Sequence, residues 1–156
     1  MDKWKNLDVI LKLADMQSDV KFVIAGRKPD EKVFGKYNIN SLNQNVIFTG
    51  YVTDSELASL FKNSKTFIFP SIYEGFGLPA LEALCFNTPL ILSDIPVFRE
   101  IYEDVATFFN PNDPNDLLRK CYNINEPDSK KREKILKNFS WDKCVENIIE
   151  IWERKM

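Results

Sequence analysis

At 156 residues, with 44% apolar and 28% charged side chains, the chain has the size and make-up of one ordinary globular domain. Its 21 basic and 23 acidic side chains leave a formal charge of −2, which argues against a nucleic-acid partner, and the absence of histidine excludes an imidazole base of its own. No apolar run approaches the ~18 residues of a membrane span, and the start MDKWKNLDVI lacks a signal-peptide core, so a cytoplasmic setting is expected.

In chain order, Leu7, Ile10, Leu11 and Ala14 recur at helical spacing, and VKFVIAG at 20–26 then reads as a short apolar strand. NVIFTG at 45–50, KTFIFPS at 65–71, PLILSD at 89–94 and VATFFNP at 105–111 repeat the strand signature, with helical segments between them such as DSELASLFKN at 54–63. From about 113 onward only helices are expected: DPNDLLRKCYNI, DSKKREKILKN and SWDKCVENIIEIWERK, the last capped by Ser140. Cys85, Cys121 and Cys144 fall in apolar helical patterns without metal-ligand spacing, which suits a reducing compartment. The KKREK run at 130–134 reads as a solvated helix face rather than a lipid-binding patch. Alternating strands and helices imply an α/β fold: a doubly wound, Rossmann-like parallel sheet with helices on both faces, a helical C-terminal tail, and ligands at the carboxyl ends of the strands.

The stretch SIYEGFGLPALEAL at 71–84 lies at such an end. Gly75 and Gly77 strip side chains from a turn leading into a helix that begins near Leu78, and Pro79 suits the first helical position. The amides from Gly75 to Leu78 should converge near a positive helix end, which is an anion site. Glu74 and Glu82 border the same turn. Carboxylates repel phosphate but chelate neighbouring hydroxyls, so an anion site between two of them points to a diphosphate with a sugar on either side, a nucleotide sugar. The competing reading makes Glu74 a loop carboxylate favoured by the helix dipole and Glu82 an exposed helix residue.

PSIYEGFGLPALEALCFNTPLILSDIPVFREI, at 70–101, resembles the signature region of the retaining GT-B glycosyltransferases of family four, whose motif is a glutamate, seven residues and a second glutamate. The likeness continues upstream in NVIFTGYVTDSELASLFKNSKTFIFPS and downstream in VATFFNPNDPNDL and FSW at 139–141. It implies that 1–156 form the C-terminal, donor-binding half of a GT-B fold, with the acceptor domain absent from this chain. It assigns Glu74 to the donor sugar near the reacting carbon, Glu82 to the ribose hydroxyls, and Gly75, Phe76, Gly77 and Leu78 to the backbone around sugar and phosphates. DKWKNLDVILKL is similar to the segment whose lysine neutralises the diphosphate, which gives that role to Lys5, with Lys3 as competitor. Gly50, Tyr51 and Val52 match the lining of the base pocket, and Arg27 follows the strand whose end lies near the base.

The resemblance further implies transfer of a sugar from a nucleotide diphosphate sugar to an acceptor hydroxyl with retention, in polysaccharide or glycolipid synthesis. Neither a metal nor another cofactor is expected, in keeping with the lack of an Asp-x-Asp pair. The acceptor, a glycan or lipid-linked sugar, would be held by the missing domain, and the full enzyme could then work at the inner face of the membrane. One departure matters: relatives open this domain with a strand ending in a glycine and an arginine, whereas here Met1 precedes Asp2 directly. Loss of that central strand would leave VKFVIAG and KTFIFPS with unpaired edges, so the chain alone is expected to be marginally stable and inactive. The alternative is a non-catalytic nucleotide-sugar-binding module or one subunit of a split enzyme.

Overall fold

The computed structural model describes residues 3–27 and 44–154. A short 3-10 turn at Lys3–Lys5 leads into α1, Leu7–Met16, and then β1, Phe22–Ala25, and β2, Val46–Gly50. The connection expected between these two strands lies outside the described residues. There follow α2 (Asp54–Asn63), β3 (Phe67–Phe69), α3 (Leu78–Cys85), β4 (Leu90–Ser93), α4 (Pro96–Tyr102) and β5 (Ala106–Phe109). The tail is α5, Pro114–Tyr122, α6, Ser129–Asn138, and α7, Trp141–Glu153. Each strand is shorter than its apolar run in the sequence, because pairing stops where the chain turns.

All strand pairs are parallel, but they form two sheets: β1 with β2, and β3–β4–β5 in that order. Both lie under one helical layer. Phe22, Ile91 and Phe109 are buried with Leu13 and Ala14 of α1 and Leu117 of α5, while Ile24, Val46, Phe48 and Ile68 pack against the same cluster. The opposite face of the three-stranded sheet is covered by α2, α3, α4 and α6 through Phe61, Ala83, Leu84, Phe98, Tyr102 and Ile135. β4 shows the consequence of two covered faces, since all four of its residues are buried. On the other face of the two-stranded sheet Val23 and Ile47 are 46% and 43% exposed, with the connection between its strands lying outside the described residues. The β1 and β3 edges, expected to lack a partner, are not paired with each other.

Local chemistry sets the joints. The side-chain amide of Asn45, just before β2, lies within 3.1 Å of the carbonyl oxygens of Ala14, Gln17 and Val20, so it satisfies the frayed end of α1 and the turn that follows. Thr53 caps α2 in a capping box: its hydroxyl accepts from the Glu56 amide while its own amide donates to the Glu56 carboxylate at 2.7 Å. Ser140 caps α7 as expected, accepting from the Lys143 amide. The basic run is only partly a solvated face. Arg132 turns inward, donating from Nε to Leu84 O at 2.9 Å and from Nη2 to Cys85 O at 3.3 Å, and so closes the carbonyl end of α3.

Two outcomes follow for stability. Asn45→Ala should lower the unfolding free energy by about 1–3 kcal/mol, because it strips donors from buried carbonyls, and a urea titration measures this. The Glu56 carboxyl is held below its ordinary value of 4.5 by hydrogen bonds from the Thr53 amide and then the Thr53 hydroxyl. A lowered folded-state pKa means stability that is present above the ordinary value and lost as pH falls through the folded one. The urea midpoint should therefore drop in acid below roughly pH 4.5, and Glu56→Gln should flatten that drop.

Candidate functional site

The turn between β3 and α3 carries the sequence-predicted residues. Gly77 is the residue before α3, in the left-handed region at φ +88, and no side chain caps the helix. The helix starts at Leu78, so Pro79 takes its second position rather than the first. With no capping oxygen, the positive end of α3 is left to whatever anion approaches it.

The two glycines have different reasons to be there. A Cβ on Gly77 would sit 2.6 Å from Cε1 of the Phe98 ring, so packing and backbone conformation both demand glycine. A Cβ on Gly75 would meet nothing within 4 Å, which leaves open space above that part of the turn. Gly75 is thus free to face a ligand, and Gly77 is held by the core. Phe76, between them, packs edge-on against Phe139 with ring centroids 5.1 Å apart, tying the turn to the junction of α6 and α7.

Lys5 reaches this turn from the opposite end of the sequence. Its Nζ donates to Glu74 Oε1 at 2.6 Å and lies 5.4 Å from the centroid of the Phe69 ring. Two contacts hold the segment: the Ile72 amide donates to Trp4 O at 2.8 Å, and the Asn6 side chain donates to Pro111 O at 2.8 Å. Glu74 is 15% and Lys5 37% exposed, so the pair is partly desolvated and its mutual attraction is stronger than on an open surface. Lys3 is exposed, and among the described residues no hydrogen bond or ion pair joins it to Glu74.

Glu82 stands apart from this pair, exposed on the first turns of α3, whose Ala80, Ala83 and Leu84 face the core. At the carboxyl ends of β1 and β2, Gly26 and Gly50 meet in a bridge, the Gly26 amide donating to Gly50 O at 2.8 Å. That bridge gathers Arg27, Gly50, Tyr51 and Val52. Arg27 is exposed, Tyr51 is 85% exposed and Val52 is half-buried. Among the described residues no hydrogen bond or ion pair links this group to the glutamate turn. No three His, Cys, Asp or Glu side chains converge among them either.

Sequence reasoning missed the parts that hold the turn: Trp4, Asn6, Phe98, Phe139 and Tyr102, whose hydroxyl donates to Gly77 O at 3.1 Å. Trp4, Asn6, Phe98 and Phe139 fell inside stretches that carry the resemblance, without a role of their own, and Tyr102 lay outside all of them.

Residues 1–140 match the family model of glycosyl transferases group 1. The chain belongs to that family. It is 40% identical over 89 residues to the O-antigen chain mannosyltransferase RfbU of Salmonella typhimurium, covering 56% of this chain and 25% of that protein. With the O-antigen chain mannosyltransferase B of Escherichia coli it shares 31% over 112 residues, covering 68% of this chain and 29% of the relative. The chain therefore spans under a third of these relatives. Among solved structures, the sucrose-phosphate synthase of Thermosynechococcus elongatus superposes with a TM-score of 0.81 at 20% identity, over 98% of this chain and 43% of that one. TarM superposes at 0.76 and 25% identity over 99% of this chain and 33% of its own. The α/β architecture is thus that of GT-B glycosyltransferases.

Gly77→Ala should cost about 2 kcal/mol or more through the Phe98 clash and the left-handed backbone, whereas Gly75→Ala should stay within about 0.5 kcal/mol. Paired thermal melts measure both. Equal losses would show that the two glycines share one role.

Proposed function

We propose that this chain is the C-terminal, donor-binding half of a retaining glycosyltransferase, which moves a sugar from a nucleoside diphosphate to an acceptor hydroxyl in bacterial polysaccharide synthesis. The observation that carries the reading is the Lys5–Glu74 contact beside the uncapped start of α3. A cation, a carboxylate and a free helix end in one place match a ligand that presents both phosphate and hydroxyl groups. Mannose is the first donor sugar to test, because the relatives named above are mannosyltransferases.

In this reading Lys5, the α3 start and the Gly75–Leu78 amides take the diphosphate, stabilising the charge that develops as it leaves. The bond from the anomeric carbon to phosphate oxygen breaks, a bond to the acceptor oxygen forms, and the acceptor hydroxyl proton passes to the leaving diphosphate oxygen. Glu74 receives donor-sugar hydroxyls, Glu82 the ribose hydroxyls, and Arg27 with Gly50, Tyr51 and Val52 borders the base. Without donor, Lys5 and Glu74 satisfy each other. A diphosphate that draws Lys5 away leaves Glu74 to the sugar, so the two halves of the donor suit the site together. No metal or other cofactor enters this scheme.

Two features support a half-enzyme. β1 and β3 belong to separate sheets and are not paired with each other, and unpaired strand edges of this kind suit pairing with a further strand. In addition α7 buries none of its side chains, leaving Trp141 83%, Ile148 61% and Trp152 64% exposed, an apolar face suited to cover by an acceptor-binding domain. That domain would hold the glycan or lipid-linked acceptor, and the chain alone should bind donor without transferring sugar.

Calorimetry of the full chain with UDP, ADP and GDP tests the assignment. Glu82→Gln should weaken the diphosphate that binds best by about 1–3 kcal/mol through lost charged hydrogen bonds, while Glu74→Gln should keep or improve affinity by releasing Lys5. Loss of affinity in Glu74→Gln with none in Glu82→Gln would reverse the two roles and overturn the scheme.

A further inference from the structure

We infer that Tyr102 is a positioning residue for the glycine turn, fixing through Gly77 the direction of the amide that meets the donor diphosphate; the inference rests on the donor-site reading above. Tyr102 is the last residue of α4 and is fully buried. A hydroxyl in such a place is unfavourable unless bonded, and phenylalanine would fill the same volume without that penalty. The hydroxyl is bonded, donating to Gly77 O at 3.1 Å across 25 positions of sequence. Burial pushes its pKa far up, with the Leu81 backbone opposing, so it stays protonated and remains a donor at any physiological pH.

The geometry of the peptide unit gives this bond its reach. Gly77 C=O and Leu78 N–H belong to one planar trans peptide and point in opposite directions. Gly77 O accepts from Tyr102 and also from the Ala80 amide at 2.9 Å, so both of its lone-pair directions are used. With the oxygen anchored toward the core, the Leu78 amide is aimed away from it, toward the uncapped end of α3. Leu78 matters more than its neighbour because Pro79 has no amide to offer. Phe98, one helical turn before Tyr102, closes the other side by packing on the Gly77 Cα, where even a methyl group would collide. The far end of α3 is held independently by Arg132 on Leu84 O and Cys85 O. The helix is thus gripped at both ends, and only the Tyr102 grip touches the ligand end.

The test uses the full chain and two variants, Tyr102→Phe and Arg132→Gln. Both remove hydrogen bonds to backbone carbonyls at the ends of α3, Gly77 O before it and Leu84 O and Cys85 O at its close, so both should lower the melting temperature. Tyr102→Phe alone should raise the Kd for the best-bound of UDP, ADP and GDP by about tenfold, and should lower the NMR order parameters of the Gly77 and Leu78 amides. Arg132→Gln should leave both readings unchanged. If Tyr102→Phe lost stability but kept wild-type affinity and amide order, while Glu82→Gln still weakened binding, the donor site would stand and Tyr102 would be an ordinary core residue. If the two variants lost affinity in proportion to their melting temperatures, a positioning role would likewise be excluded. Failure of all three diphosphates to bind the wild type would remove the donor reading and this inference with it.

Discussion

Lys5 and Glu74 lie 69 positions apart in sequence and meet at 2.6 Å, and the arrangement of the β3–α3 turn depends on that meeting. Partly burying two charges is unfavourable unless their geometry is good, and a side chain as long as lysine gives up rotamer freedom to hold one. The fold meets that cost with backbone rather than with more charge. Trp4 O takes the Ile72 amide, and the Asn6 side chain takes Pro111 O, so the segment before α1 is tied both to the β3–α3 turn and to the loop after β5. Asn6 itself adopts the left-handed conformation, φ 49, which asparagine tolerates better than most residues. Six buried residues of α1, from Leu7 to Ala14, then fix the helix that sets where Lys5 stands.

The caps of the helices divide by position. α2 and α5 follow β2 and β5, the strands at one edge of each sheet, and both are capped by side chains, Thr53 and Asp113. α3 and α4 follow β3 and β4, and neither has a side-chain cap: Gly77 has no side chain to give and Ile95 no polar atom. A missing cap is worth about 1 kcal/mol, and α1 goes without one too, since the Asn6 side chain does not cap it. At α3 the bare end belongs to the turn that carries Gly75 and Gly77. In the tail, Asp128 and Ser140 cap α6 and α7.

The strands, the Ser140 cap and the glycine turn were legible because each writes a local pattern. Runs of six or seven residues marked every described strand, and β2, Val46–Gly50, matched its run most closely. Ser140 was legible because a capping serine precedes an apolar helical pattern. The lone arginine inside KKREK was not: its charge placed it on the surface, and only the tertiary position of α3 turned it toward Leu84 and Cys85. Asn45 failed for the same reason, since three carbonyls that converge on one amide come from the end of α1 and the turn after it.

Gly77 and Tyr102 show the limit of such patterns most clearly. The glycine was read as room for a ligand, and the structure gives that property to Gly75, whose missing Cβ faces open space, while Gly77 is pressed against Phe98. From sequence the two are the same letter two positions apart, and nothing local separates a glycine needed for backbone approach from one needed for packing. Tyr102 is less legible still. It sits in an apolar helix as any aromatic core residue would, and its function, if the turn is where phosphate binds, comes from one hydroxyl acting on a peptide plane 25 positions away. A side chain that works by turning a backbone group toward a ligand has no contact with the ligand and no spacing from the motif. It becomes visible only when the buried polar atoms are followed one by one to their partners.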